Sequence, residues 1–210
     1  MTLEFLSPSP TAVARSPMER EALAAGATLE QRDGWNVAVS FDGEERHRST
    51  AAFVDRSRIG KLELHGVHGL PLGEATRRDD AWWCPTSHER ALVLCEPDRT
   101  AALREQLGDA VVDLTSAMGA LTIAGPLAPE VFARFTAIDL RPQVTPVHGF
   151  RPGSVARTPG AILREAEDRW LMLFGAALGS YVWTVVADAA ASLGGGPIGI
   201  DALAGVNIGA

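Results

Sequence analysis

Residues 54–66 return in degraded form at 112–126. Both copies read Val-Asp, a hydroxyl residue (Ser57, Thr115), a short polar or small stretch, a glycine, and then an apolar run closed by a second glycine (Gly66, Gly125). Alternation with period 2 predicts a strand with one buried face. That face carries Ile59, Leu62 and Leu64 in the first copy and Met118, Leu121 and Ile123 in the second. A duplicated turn-plus-strand unit predicts two related α/β halves in one body, about 17–108 and 109–210. Two unrelated buried strands would give the same local pattern, so spacing alone leaves the duplication open.

The chain has 210 residues, enough for one large domain or two small ones sharing a core, and 46% of them are hydrophobic. A net charge of −7 argues against nucleic acid as a partner, because phosphate binding needs concentrated Lys and Arg. Cys84 and Cys95 are the only cysteines, without a CxxC or a Cys/His cluster, so neither a disulfide framework nor a structural zinc site is expected. Pro8 and Pro10 interrupt the one candidate for a leader, and no apolar run is long enough to span a bilayer. The expected setting is the cytoplasm, with no membrane contact.

Residues 1–16, rich in Ser and Pro, read as a flexible arm able to dock on a partner. A short helix is predicted over 17–25, capped by Ser16 with Pro17 first and Gly26 as its stop. Strands are expected at 28–32 and 36–41, a polar helix at 44–52, and a loop at 65–78. Next come antiparallel strands at 82–84 and 90–95 joined by residues 85–88, then a helix over 99–107 capped by Asp98 and ended by Gly108. In the second half, a helix over 128–135 and an extended piece at 138–142 precede strands at 154–157, 161–165 and 170–174. The strongest helical pattern is 179–191, where Val182, Val185, Val186 and Ala189 share a face, and Gly194, Gly195, Gly196 and Pro197 stop it. Strands, hairpins and helices in this order indicate an α+β fold.

Residues with catalytic chemistry are sparse. The five histidines (His47, His65, His68, His88, His148) show no metal-ligand spacing, although His65 and His68 lie near Glu63; no metal site is predicted. There is no nucleophile elbow, and Gly194–Gly196 lacks the Lys-Ser/Thr that would follow in a phosphate loop. The best single candidate is the carboxylate pair Asp79 and Asp80, just before Trp82 and Trp83, as a polar site beside an aromatic wall. Acidic pairs at a strand start are more often simply solvated.

From Ser16, Pro17 and Met18 to Gly26 and Ala27, through Gly34-Trp35-Asn36-Val37, and over 54–66, the chain resembles glycine-cleavage T-proteins, the folate-dependent aminomethyltransferases. Asp55, Ser57, Gly60, Lys61, Glu63 and Gly66 agree with the family's turn and strand. Residues 112–126, Ile138-Asp139-Leu140-Arg141-Pro142 and Tyr181-Val182-Trp183 look more like the gamma subunit of heterotetrameric sarcosine oxidase, a shortened relative of the T-protein fold. The resemblance runs from about residue 16 to 210. It lacks the Lys-Gly-Cys signature of the iron–sulfur-assembly branch.

The resemblance implies a folate-binding-domain fold without the family's C-terminal β-barrel. It places Asp79 and Asp80 where T-proteins carry the acidic pair beside the folate amine, with Thr76, Arg77 and Arg78 in place of the preceding glycines. At the second anchoring carboxylate stands Leu171. Leaving the pterin donors unpaired there would cost roughly 1–3 kcal/mol each. Near the end, the family's Arg, Asp, Arg and Glu become Leu203, Ala204, Asn207 and Gly209. The resemblance thus implies a non-catalytic accessory subunit packed against a larger flavoprotein oxidase or dehydrogenase, in amine or one-carbon metabolism, with no cofactor of its own. The alternative is a minimal aminomethyltransferase, with Asp79 and Asp80 catalytic and Asp80 and Trp82 binding tetrahydrofolate. On the first reading Ile198, Ile200 and Ile208 would be uncovered without a partner.

Overall fold

In a computed structural model describing residues 12–203, helix α1 (Glu19–Ala24) and the hairpin of β1 (Ala27–Arg32) and β2 (Trp35–Phe41) come before the duplicated part. A 3-10 turn at Glu44–Ser49 leads to β3 (Ala52–Asp55), β4 (Gly60–His65), β5 (Thr76–Arg78), β6 (Ala81–Ser87), β7 (Arg90–Cys95) and α2 (Pro97–Leu107). The second run is β8 (Val111–Asp113), β9 (Met118–Ala124), α3 (Ala128–Phe132), β10 (Phe150–Val155), β11 (Thr158–Ala166), β12 (Arg169–Gly175) and α4 (Gly179–Ala191). Then follow β13 (Gly196–Pro197) and α5 (Ile200–Leu203).

One sheet runs β10-β11-β12-β9-β3-β13 and the other β5-β6-β7-β4-β8. Apart from β13 the two orders are the same, with β5 matching β10, β6 matching β11, β7 matching β12, β4 matching β9 and β8 matching β3. Each repeat copy is a strand, a turn and a strand that crosses between the sheets: β3 to β4 in one direction, β8 to β9 in the other. The copies therefore pair with each other. Val54 faces Thr122 and Asp55 faces Leu121, while Glu63 faces Val112 and Leu62 faces Asp113, the same register in mirror order.

The recurring residue types serve this crossing. Asp55 accepts the Ser57 backbone N–H at 2.8 Å, and Asp113 accepts that of Thr115 at 2.9 Å, each closing a turn onto its own chain. The two hydroxyls then reach across: Ser57 Oγ accepts the Ala120 N–H at 3.2 Å, and Thr115 Oγ1 accepts the Lys61 N–H at 3.1 Å. Arg56 N–H donates to the Ala120 carbonyl and Leu114 N–H to that of Lys61. The recurring glycine after each turn has a steric cause. A Cβ on Gly60 would lie 2.6 Å from Cys95 Sγ, and one on Gly119 would lie 2.5 Å from the Phe174 ring.

Hydrophobic burial gives four layers. Val182, Val186 and Met18 cover one face of the larger sheet at Phe53, Leu121, Ile123 and Met172. Its other face (Ala120, Leu163, Leu171, Leu173) meets Cys84, Leu92 and Leu94 of the smaller sheet. Leu103 of α2 covers the remaining face at Leu62, Trp83, Val93 and Cys95. Cys84 and Cys95 project from opposite faces of one sheet and are both free.

This arrangement corrects several expectations. β9 is buried on both faces, so its residues do not form one apolar side: Leu121 and Ile123 face the α4 layer, whereas Met118 packs between the sheets. Ile59 likewise packs between the sheets and Leu62 on the outside, because the two are three residues apart and period 2 sends them opposite ways. Helix α1 begins at Glu19, and Ser16 Oγ, which accepts the Met18 N–H, also donates to Asp55. Pro97, not Arg99, opens α2, and Asp98 makes no cap. Residues 85–87 continue β6 through a bulge, and 138–142 form bends rather than an extended piece. Of the predicted arm, 1–11 lies outside the described residues; Ala14 is held to β2 by bonds with Gly34 and Asn36. Ile198 is buried and Ile200 packs beside it, so neither is uncovered; Ile208 and the predicted changes at 204, 207 and 209 lie outside the described residues.

Candidate functional site

Asp79 and Asp80 form the two-residue turn of the β5–β6 hairpin, both with positive φ (53° and 57°), as a type I′ turn requires. Both are exposed. Beyond the turn, β-strand alternation sends Trp82 and Trp83 to opposite faces, so they do not make one aromatic wall. Trp83 is buried against α2 with the Arg78 guanidinium 3.7 Å over its ring. Trp82 lies on the inner side, 4.9 Å from the His148 ring and 5.2 Å from the Arg77 guanidinium.

Asp80, Trp82 and Leu171, three positions singled out by the family resemblance, do converge. Together with Arg56, Arg77, Glu96 and Glu165 they line a cavity of about 30 Å³ between the sheets. That is room for about one water molecule, whereas sites for drug-sized ligands span roughly 300–1,000 Å³. The residues present do not fit a pterin: Leu171 is fully buried in the apolar layer, and an ion pair closes the space beside it.

That pair is built from both halves. Arg56, in the first crossing turn, donates from Nη1 to both oxygens of Glu165 at 2.7 and 2.9 Å and from Nη2 to Glu96 at 3.3 Å. Arg169 approaches Glu165 at 3.4 Å. Burial would by itself lower the Arg56 pKa, but Glu165 and Glu96 hold it above the ordinary arginine value. A nearly dry ion pair of this kind, with one guanidinium nitrogen shared between both carboxylate oxygens, fixes geometry more than it adds stability.

Below the turn lies a second buried charge. Lys61 is the only lysine among the 19 basic residues of the chain, and it is completely buried. Its Nζ donates to the carbonyls of Ser57 at 2.7 Å and Ile59 at 2.9 Å. Burial lowers its pKa to about 8, partly offset by Asp55 and Asp113. Asp55, half-buried, is pushed above the ordinary carboxylate range by loss of water, against the bonds from Ser16 and Ser57. This ammonium and carboxylate brace the crossing, and the ammonium has no access to a substrate.

The histidines stay apart. His65 Nε2 meets Glu63 at 2.7 Å, while His68 accepts the Leu70 N–H and bonds the Ser87 carbonyl at 2.8 Å. Among the described residues no three metal-ligating side chains come together. A wider cleft, about 570 Å³ beside α3, went unseen in the sequence. Arg164 at its wall spends its guanidinium on the carbonyls of Thr145, Ala166 and Glu167, which ties the 136–149 excursion to the β11–β12 turn.

A model of the sarcosine oxidase, gamma subunit family matches residues 80–192, more than half of the sequence. The chain belongs to that family. A chain of the heterotetrameric sarcosine oxidase from Corynebacterium sp. U-96, in complex with pyrrole 2-carboxylate, is 21% identical with a TM-score of 0.67, over 86% of this chain and 96% of that one. The glycine cleavage system aminomethyltransferase T from Bartonella henselae is 14% identical with a TM-score of 0.75, over 90% of this chain but 60% of that one. At these identities the structural likeness speaks for the fold, the α+β architecture that the gamma family shares with T-proteins. No curated protein sequence matches. No helix among the described residues is long and apolar enough to cross a membrane.

Proposed function

We propose that this gamma-family chain is a non-catalytic accessory subunit of a sarcosine-oxidase-like complex, working in the cytoplasm beside larger flavin-bearing oxidase or dehydrogenase subunits in amine or one-carbon metabolism. One observation supports it most: the positions at which T-proteins would hold folate converge, in a chain of the gamma family, on about 30 Å³ walled by Leu171 and the Arg56–Glu165 pair. A fold that keeps its duplicated frame but fills its cofactor space is suited to scaffolding. Asp79 and Asp80 then serve as a hairpin turn, with no cofactor of their own to orient.

Calorimetric titration with tetrahydrofolate tests the reading, and no binding heat is expected. Micromolar binding that disappears in Asp80→Ala would replace it by the aminomethyltransferase alternative. Co-expression with the remaining subunits of such an oxidase should give one complex on gel filtration. An oxidase that assembles and turns over undiminished without this chain would remove the accessory role.

A further inference from the structure

The duplication makes β3 and β8 equivalent edge strands, yet among the described residues only β3 has a neighbour beyond it. There β13 runs parallel to β3, with Gly196 N–H donating to the Ala51 carbonyl at 3.1 Å and Ile198 N–H to that of Phe53 at 2.9 Å. The repeat carries Ala51 and Phe53 onto Asp109 and Val111. The ladder phase agrees. Leu114 N–H donates to the Lys61 carbonyl, and bonded pairs alternate along an antiparallel ladder, so Val112 bonds to Glu63. Val111 and Asp113 therefore turn their backbone groups away from β4; a 3-10 turn takes up the Val111 N–H on the Gly108 carbonyl, which leaves the Val111 carbonyl and the Asp113 groups for the open edge. Where β13 fills the space beside β3, the β8 side has a groove of about 730 Å³ between the strand and α2. Val112, 48% exposed, stands on this edge.

Charge selects the occupant. Glu105, Asp109 and Asp113 line the groove against one base, Arg104. Residues 1–11 carry Glu4 as their only charged side chain and residues 204–210 carry none, so neither supplies a complement. A second copy would bring the same carboxylates face to face. We propose that an extended segment bearing basic side chains, from another subunit of the oxidase complex, adds to β8 in the parallel sense of β13. It becomes the sixth strand of the smaller sheet. Open edges recruit strands in this way: main-chain bonds hold the segment and flanking charge chooses it. The inference rests on the subunit reading above.

Hydrogen exchange read by mass spectrometry on peptides covering 108–115 tests it, comparing the full chain alone with the chain in complex with the other oxidase subunits. Exchange should slow by about tenfold or more in the complex. The double variant Glu105→Lys/Asp109→Lys, at two exposed positions, should melt like the parent but lose both the complex and the protection. A complex that forms without protecting these peptides overturns strand addition and leaves the subunit reading standing. Protection already present in the isolated chain and lost on deleting 1–11 overturns it in favour of the chain's own terminus. Protection that grows with concentration of the chain alone does so in favour of a second copy. Failure of the parent chain to form any complex overturns both readings.

Discussion

Because Lys61 is the sole lysine and lies fully buried, its titration can be isolated by one substitution, Lys61→Met. The folded chain holds this proton only up to about pH 8, against 10.5 ordinarily. At 1.36 kcal/mol per decade the charged amine costs the folded state about 3 kcal/mol below pH 8. Between pH 8 and 10.5 the unfolded chain binds more protons than the folded one, so this part of the stability rises with pH and levels off above 10.5. The methionine variant escapes the cost but leaves the Ser57 and Ile59 carbonyls without their donor, about 1 kcal/mol each. It should then be more stable than the parent by about 1 kcal/mol at pH 7 and less stable by about 1 kcal/mol at pH 10, the curves crossing at about pH 9. Urea melts at pH 7, 8, 9 and 10 measure this. The Cys84 thiol, pushed well upward by burial, is common to the two proteins and cancels in the difference. Parallel stability curves for the two proteins would refute the argument.

Four further outcomes are expected. Asp55→Ala frees the Ser57 N–H and the Ser16 hydroxyl and strips Lys61 of its nearest carboxylate, costing about 3 kcal/mol. Its counterpart Asp113→Ala, half-open to solvent, costs about 1 kcal/mol by the same denaturation, and equal losses would contradict the difference in burial. The isosteric Asp55→Asn should flatten the acid limb: with its folded pKa raised, Asp55 contributes stability that is present below 3.8 and lost as pH climbs through the folded value. Asp79→Asn with Asp80→Gly, the favoured residues for two positive φ angles, should raise stability by about 0.5–1 kcal/mol, and a loss would show that the pair does more than turn the chain. Glu165→Gln should cost about 3–5 kcal/mol by leaving Arg56 buried without its charge, and Arg56→Met/Glu165→Met should recover most of it; a single variant no worse than the double would refute the pairing argument.

The duplication was legible because the residues that recur, Asp55 with Asp113 and Ser57 with Thr115, are those whose side chains close each turn and bond the other copy. The crossing between sheets was not, since period 2 reports which residues share a face but not which strand lies alongside. The same limit misplaced Ile59 and Met118, which sit at the wrong parity for the faces assigned to them. Short edge strands such as β5 and β13 carry too few residues to show a period. At the site, resemblance brought Asp80, Trp82 and Leu171 to one place. Nothing local in the chain signalled the Arg56–Glu165 pair that closes it, because its members are 109 residues apart.

Burying its one lysine gives the protein an unusual chemical surface. Amine-directed labels and crosslinkers, the common reagents for mapping neighbours in an assembly, have no side chain to react with on the folded subunit, so a map drawn with them would tie it in through a terminal amine at most, even when it is bound. Trypsin, for the same reason, cuts the folded chain only after arginine. Carboxylate-coupling reagents, which reach exposed Glu105 and Asp109, are the ones that can place it among its partners.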